Sequence, residues 1–345
     1  MKLLRIGITH GDINGIGYEL LIKVLQDPEI LELCTPVIFG SATVATATAQ
    51  QLNVEPLPLY IVSNAEEALD GRINLVPVCQ DAEPTIAFGQ QTEDSLQAEA
   101  RSLTTALEAY TQQQIDVLLT LPGHLDNDDK QHALSDFIHQ ALDAKLESFD
   151  WMCNHNVRTL LIHQEDVSTE LGEGLASEAF QARITAISNS LRQDFGLMRP
   201  RLAVISSNAR LAGDLGALHE QGINAFGPFD AQAFVDGGWQ HHYDGCILID
   251  NAPARDKILS AEDPDFAIGY VSGLPIVLTY PLQSIAYDIA GQGKANEVPL
   301  RQAIYAAIDI SRCRNSYSRA TRHPLEKQWV PRGRDDFKLD LTKEE

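Results

Sequence analysis

Short apolar runs alternate with amphipathic segments over most of the chain, and this alternation predicts its secondary structure. The apolar runs predict strands at residues 4–9, 36–39, 57–62, 74–78, 117–121, 159–162, 201–206, 246–249 and 275–279. The amphipathic segments predict helices at residues 18–25, 42–52, 92–113, 132–146, 177–195 and 299–311, with Ser41 as the N-cap of the second. Such alternation is typical of an α/β fold whose largely parallel sheet is covered by helices on both faces.

Composition and charge narrow the class of protein. The chain has 345 residues, 44% of them hydrophobic, which is enough for two domains. A net charge of −22 argues against binding to nucleic acid or to an anionic membrane, because no basic stripe is present. The five cysteines are scattered and form no C-x-x-C pair, and no signal peptide is visible. We therefore expect reduced thiols and a cytoplasmic location.

The N-terminal stretch L-R-I-G-I-T-H-G-D-I-N-G-I-G-Y-E, residues 4–19, places a glycine-rich loop between a strand and a helix. This geometry can aim backbone N–H groups at an anion. Its spacing is neither G-x-G-x-x-G nor a Walker A motif, so a plain strand-to-helix turn capped by Asp12 and Asn14 is an equal alternative. Among the polar residues of the loop, we expect His10 to face a binding cleft.

The same stretch resembles the signature G-D-P-x-G-I-G-P-E of the PdxA family. The segments G-L-P at 273–275 and A-G-Q-G-K-A at 290–295 are also similar to family motifs, and the resemblance covers roughly residues 4–311. It implies an NAD-dependent 4-hydroxythreonine-4-phosphate dehydrogenase of pyridoxal phosphate biosynthesis. It also implies a homodimer with an architecture like that of isocitrate and isopropylmalate dehydrogenases. By this analogy, residues 1–121 and 265–313 form a first domain and residues 122–264 a second, dimerising one. A small-molecule ligand would bind in the cleft between them, and residues 314–345 would form a polar tail.

In the family, three histidines hold a divalent metal ion. Their motifs T-T-H-x-P, N-P-H-A-G-E and Y-H-D-Q-G correspond here to His163, Arg210 and Asn251, so only His163 is retained as a ligand. Catalytic sites of this kind need three protein ligands, and a guanidinium does not deprotonate. We therefore predict that the family's metal does not bind. Arg210 could bind a substrate carboxylate in the place of the metal, or it could pair with Asp214, Asp250 or Glu165.

The positions that bind substrate and cofactor in the family also differ. The motif G-H-T-E corresponds to residues 133–136, which leaves Ser135 and Asp136 as candidate substrate-binding residues, with Lys257 near the family's lysine but off register. The family's substrate asparagine and arginine correspond to Gly269 and Leu278. The resemblance implies NAD binding at three residues, Gly291, Gly293 and Asn208, and the sequence leaves open whether NAD still binds.

Two functions therefore stay open. The first is an NAD-dependent oxidoreductase of the PdxA type whose substrate is changed and whose metal binding is weakened or absent. The second is a non-catalytic pseudoenzyme, a ligand-binding or scaffold protein that pairs with an active paralogue. His124 is a further candidate to face the cofactor, because it follows a predicted strand at the position of the family's P-I-N-K motif.

Overall fold

The computed structural model describes residues 3–79, 84–124, 133–142, 147–155, 157–163 and 177–322. Within them, twelve strands form one sheet: β1 (Leu4–Thr9), β2 (Cys34–Gly40), β3 (Leu59–Ile61), β4 (Ile73–Pro77), β5 (Val117–Thr120), β6 (Phe149–Asn154), β7 (Val157–Ile162), β8 (Arg201–Ile205), β9 (Asn224–Phe229), β10 (Gly245–Ile249), β11 (Ala267–Ser272) and β12 (Val277–Pro281). The helices are α1 (Gly17–Leu25), α2 (Pro28–Leu33), α3 (Ala42–Leu52), α4 (Glu93–Thr111), α5 (Ala133–Ala141), α6 (Ser177–Asp194), α7 (Leu211–Glu220), α8 (Ala231–Asp236), α9 (Ala252–Ser260) and α10 (Val298–Arg322).

The strand order is β3-β4-β2-β1-β5-β12-β11-β6-β7-β10-β8-β9. Two blocks are parallel within themselves, the first running from β3 to β12 and the second from β7 to β9. Between them, β11 and β6 pair antiparallel with each other and with their outer neighbours. Within the described residues, eight of the eleven strand pairings are parallel, so the sheet is largely parallel, as the sequence predicted, with three antiparallel pairings at its middle.

Strands from residues 1–121 and 265–313 occupy one side of the sheet, and those from residues 122–264 occupy the other. The sheet continues without a break across this boundary, so the division into two domains stays a prediction. None of the helices in the described ranges is long and apolar enough to cross a membrane.

The last helix is longer than the sequence predicted. It extends to Arg322 rather than ending at Ser311, so residues 314–322 of the predicted polar tail are helical. Arg314 anchors this extension, because its guanidinium donates to the carboxylate of Asp194 from Nε at 2.8 Å and from Nη2 at 3.1 Å. Residues 323–345 lie outside the described part of the chain.

Candidate functional site

A polar pocket of about 220 Å³ lies beyond the C-terminal ends of β8, β9 and β10, where these strands lead into α7, α8 and α9. In α/β proteins, ligands bind at this edge because the loops and helix N-termini converge there. The polar residues that line the pocket are Ser206, Ser207, Asn208, Asp230, Asp250 and Asn251. The two aspartates make the pocket negative, and the remaining groups offer hydrogen bonds to hydroxyl or amino groups.

Local capping explains why several of these side chains point as they do. The Oδ1 of Asn251 accepts a hydrogen bond from the backbone N–H of Ala254 at 3.1 Å and caps α9. The Oδ1 of Asp230 caps α8 in the same way, at 2.9 Å from the nitrogen of Ala233. Asn208 accepts from the N–H of Arg210 at 3.1 Å. Two of the polar side chains of the pocket, those of Asp230 and Asn251, therefore also begin helices.

His163 follows β7, the strand next to β10, and lies beside this pocket. Its Nδ1 is 3.7 Å from Oδ1 of Asp250, a distance that fits an ion pair but is too long for a hydrogen bond. Both side chains are open to solvent, with 39% of His163 and 44% of Asp250 exposed. The structure thus brings His163, Asn208 and Asn251 to one edge of the sheet, and it adds Asp250 and Asp230, which the sequence analysis did not single out as site residues.

Arg210 occupies the N-cap position of α7 and is exposed. In the described part of the structure, no ion pair links it to Asp214 or Asp250, and Glu165 lies outside that part. Asp214 instead accepts hydrogen bonds from Ser177 and, at 3.0 Å, from Gln181. Whether Arg210 binds a carboxylate stays a prediction.

The three family metal positions carry an imidazole, a guanidinium and an amide whose oxygen already caps α9. These donors do not fit the three-histidine metal site of the family, because a guanidinium offers no lone pair to a metal ion. Among the described residues, no group of three or more His, Cys, Asp or Glu side chains is placed to hold a metal ion. Residues 164–176, which follow His163, lie outside the described ranges, so the absence of a metal stays a prediction.

The predicted cofactor glycines lie in the loop that joins β12 to α10. The buried carboxylate of Glu19 in α1 accepts from the N–H of Gly293 at 3.2 Å and from that of Ala295 at 2.7 Å. The N–H of Gly293 is therefore already bound within the protein. Gly291 packs near Gln51 of α3, whereas Asn208 lies in the other block of the sheet.

Of the predicted substrate residues, Ser135 and Asp136 fall in α5, but their side chains lie outside the described part of the structure. Lys257 is exposed on α9 and is not among the residues that line the pocket. The substrate roles of all three stay predictions.

The positions of the family's substrate arginine and asparagine have become part of the core. Leu278 is 0% exposed and belongs to an apolar cluster with Ile138 of α5. A β-carbon at Gly269 would lie 2.0 Å from the ring of Tyr280, so this ring fills the space of a larger side chain. The hydroxyl of Tyr280 donates to Oδ1 of Asp150 at 2.5 Å. Burial raises the pKa of Asp150 to about 7, against the opposing effects of Tyr280 and Arg255.

The expectation that His10 faces a binding cleft is wrong. Only 1% of His10 is exposed, its ring stacks on that of Tyr18, and its Nδ1 donates to the carbonyl of Gly11 at 2.7 Å. Burial lowers the pKa of His10 to about 4, so the imidazole is neutral at physiological pH.

Comparison with known proteins identifies the family of this chain. A family model described as "Pyridoxal phosphate biosynthetic protein PdxA" matches residues 32–307. The chain belongs to the PdxA family. It is 35% identical to the 4-hydroxythreonine-4-phosphate dehydrogenase of Bacteroides thetaiotaomicron, over 98% of this chain and 97% of that protein. The protein of the same name from Geobacter metallireducens is 25% identical, over 90% and 97% of the two chains.

Solved structures agree with this assignment at the level of the fold. A 4-hydroxythreonine-4-phosphate dehydrogenase from Klebsiella pneumoniae superposes with a TM-score of 0.69 at 19% identity, covering 90% of this chain and 100% of that one. The enzyme from Burkholderia phymatum gives a TM-score of 0.65 at 21% identity, covering 90% and 99%. The predicted PdxA resemblance and α/β fold are confirmed, and the chain is an oxidoreductase-like member of this family. The interdomain cleft and the homodimer stay predictions.

Proposed function

We propose that this chain is a cytoplasmic, homodimeric NAD-dependent dehydrogenase of a hydroxy acid related to 4-hydroxythreonine 4-phosphate. The observation that carries the proposal is the 35% identity, over nearly the whole length of both chains, with a relative that bears the name of this activity. The convergence of His163, Asn208 and Asn251 at one pocket supports a reaction site at the ends of β8 to β10.

The pocket suits the amino-acid part of such a substrate. The carboxylates of Asp230 and Asp250 would attract an ammonium group, and the amide and hydroxyl groups around them would bind hydroxyls. NAD, when bound, accepts a hydride from the carbon that carries the hydroxyl group. The role of this chain's own residues is to bind and orient the substrate.

Leu278 stands where the family has its substrate-binding arginine, and it lies in the core. This favours a substrate that has no phosphoryl group at this position. A leucine that is 0% exposed in an apolar cluster cannot supply the two charge-assisted hydrogen bonds that an arginine gives to a phosphate. A phosphate dianion placed there would also lose its hydration without compensation. We therefore propose that unphosphorylated 4-hydroxythreonine or a similar hydroxy acid reacts better than the phosphorylated compound.

The same substitutions support a second candidate, a non-catalytic binding or scaffold protein that pairs with an active paralogue. The specific observation is that an arginine and a helix-capping asparagine stand at two of the three metal positions. Such a protein would bind a ligand in the pocket without oxidising it.

The test is NADH formation from NAD with 4-hydroxythreonine and with its 4-phosphate, each with and without added zinc or magnesium. A PdxA enzyme with all three metal histidines serves as the control. Turnover of either compound above background supports the dehydrogenase, and a preference for the unphosphorylated compound supports the altered subsite. No turnover and no NAD binding at millimolar concentration, with the control active, would overturn the proposal in favour of the binding protein. Sedimentation of the same sample tests the homodimer.

A further inference from the structure

The pocket at the ends of β8 to β10 has no strong cation in its wall. Among the described residues that line it, none is a lysine or an arginine, and Asp230 and Asp250 make it negative. The proposed function places the ammonium group of a substrate against these carboxylates and its hydroxyl groups against the neutral side chains. The carboxylate of the same substrate would enter a repelling field, so it requires a positive group within reach of the pocket.

Arg255 supplies a buried positive charge one helical turn from the pocket. Its backbone N–H donates to the carbonyl of Asn251 at 3.2 Å, so the two residues lie on the same face of α9. Asn251 lines the pocket. The side chains of a helix lean towards its N-terminus, which for Arg255 is the direction of Asn251. Only 8% of Arg255 is exposed.

The guanidinium of Arg255 can accept a new partner. Its Nε and Nη2 lie 3.1 and 3.0 Å from a single oxygen, Oδ1 of Asp256. In the part of the chain that the structure describes, its Nη1 makes no hydrogen bond, although a guanidinium has five N–H donors. The side chain of Asp256 is 64% exposed, so water and salt weaken this ion pair. A substrate carboxylate can therefore bind Nη1 and replace Asp256.

The charge of Arg255 also reaches the middle of the sheet. Burial raises the pKa of Asp150, near the start of β6, to about 7, and the positive charge of Arg255 opposes this rise. Helix α9 packs on β7, which lies between β6 and β10. The side chain of Arg255 therefore extends over β7, from the helical turn that carries Asn251 towards β6.

Other positive groups are less well placed. Arg210 is exposed at the start of α7, so water competes for any carboxylate that it binds. Lys257 is exposed and, two positions after Arg255, projects from another face of α9. His124 lies 2.8 Å from the buried carboxylate of Asp12, in the loops that follow β5 and β1. Three antiparallel pairings separate β12 from β7, so the two parallel blocks run in opposite directions and these loops lie at the other edge of the sheet.

We propose that the guanidinium of Arg255 binds the carboxylate of a hydroxy amino acid whose ammonium and hydroxyl groups occupy the pocket at the ends of β8 to β10. The location of the substrate rests on the proposed function. Arg255 is then the residue that makes the site select acids over uncharged analogues, and Asp256 is the partner that the substrate displaces.

Calorimetric titration of the intact protein without NAD tests binding apart from turnover. The probes are 4-hydroxythreonine and its carboxamide, which differ only at the carboxylate, at pH 6.5, where both amino groups are largely protonated. We expect wild type to bind the acid about tenfold or more tightly than the amide. In Arg255→Met the two affinities should agree within about twofold. Arg255→Lys should keep part of the preference, because lysine retains the charge without the planar fork.

Two further variants separate binding from a structural role. Asp256→Asn removes the exposed competitor for the guanidinium and should tighten binding of the acid, whereas a purely structural ion pair predicts no gain. Arg101→Met is the matched control, because Arg101 is exposed on α4, which packs against β1 and β2. It should leave both affinities unchanged. Circular dichroism verifies the folding of every variant.

The outcomes for Arg255 and for the dehydrogenase are distinguishable. If wild type binds the acid and the amide equally, or binds neither, or if the preference for the acid survives in Arg255→Met, the role of Arg255 is refuted even where NADH is formed. Loss of the preference in Arg210→Met alone would also refute it, in favour of Arg210. If Arg255→Met loses the preference but wild type forms no NADH from any hydroxy acid, Arg255 binds the carboxylate and the dehydrogenase function fails.

Discussion

The ring of Tyr280 in β12 lies against the α-carbon of Gly269, its cross-strand neighbour in β11, at the place where a β-carbon would lie. The hydroxyl of the same tyrosine reaches Asp150 in β6. The three residues therefore join the antiparallel strands at the middle of the sheet. The ring of Tyr280 leaves no room for a side chain at position 269, so each of the two residues restricts which substitutions the other position tolerates.

This contact predicts a strong interaction between the two positions. Gly269→Ala should lower the free energy of unfolding by about 1–3 kcal/mol, because the new methyl group overlaps the ring. In a Tyr280→Ala background the same change should have little further effect. The control is Gly216→Ala in α7, where a β-carbon meets nothing within 4 Å and should stabilise the helix by about 0.5–1 kcal/mol. Urea unfolding measures all four variants, and additive effects at positions 269 and 280 would contradict the prediction.

The apolar and capping patterns of the sequence correctly predicted the strands and helices that are determined by neighbouring residues in the chain. The strand at residues 4–9 matches β1, and Ser41 caps α3 through its hydroxyl at 3.2 Å from the nitrogen of Val44. Strand β9 was missed because it contains Gly227-Pro228, which is typical of a turn. Strand β11 was missed because its Gly269 interrupts an apolar run for a reason that lies on another strand.

The candidate site, too, could be predicted from the sequence only in part. The family resemblance singled out His163 and Asn251, and the structure places both beside one pocket. Spacing could not reveal that Leu278 shares an apolar cluster with Ile138 of α5, or that Asp12 and Tyr287 meet across 275 residues of sequence. Such contacts depend on strand order, which no local pattern encodes.

The extension of α10 provides a test of a buried ion pair. Asp194 is 2% exposed and accepts hydrogen bonds from Tyr270 and Arg314, so Arg314→Met would leave a buried charge without its partner. We expect the free energy of unfolding to fall by about 3–5 kcal/mol. Arg312→Met is the matched control, because that side chain is 63% exposed and its guanidinium is 3.7 Å from the carboxylate of Asp309, which is 75% exposed. The free energy of unfolding of Arg312→Met should fall by less than about 1 kcal/mol. Equal losses in guanidinium unfolding would show that the buried pair has no special role.

His10 and Asp150 should make the free energy of unfolding depend on pH in opposite directions. The pKa of His10 is about 4 in the folded protein and 6.5 in the unfolded chain, so stability falls as pH drops through this interval. At about 1.36 kcal/mol per pH unit, the full effect is roughly 3 kcal/mol. The pKa of Asp150 is about 7 in the folded protein and 3.8 when unfolded, so its contribution falls as pH rises between these values.

The two effects oppose each other in wild type, and single substitutions should reveal them. His10→Gln should remove the acid-side loss, so that its stability relative to wild type increases as pH falls from 6.5 towards 4. Asp150→Asn should gain relative to wild type as pH rises from 4 towards 7. Urea unfolding at several pH values measures both differences, with His219→Gln as the exposed control. Differences that do not change with pH would mean that neither group titrates as its burial requires.

Asn251 allows the structural role of a pocket residue to be separated from its role in binding. Its side chain caps α9, so Asn251→Ala should lower the free energy of unfolding by about 1 kcal/mol, while Asn251→Asp keeps an acceptor and should stay within about 0.5 kcal/mol of wild type. The aspartate also adds a third negative charge to a pocket that holds Asp230 and Asp250. We therefore expect a lower KM for a substrate with an ammonium group and a higher KM for one with a phosphate.

The control for this prediction is Ser41→Ala, which removes the cap of α3 in the other block of the sheet. It should lose similar stability and leave both KM values unchanged, because α3 does not line the pocket. If Asn251→Asp behaved like Ser41→Ala in the kinetic assay, the pocket at the ends of β8 to β10 would not be where the substrate binds. Because the stability of each variant is measured beside its KM, loss of folding cannot be mistaken for loss of binding.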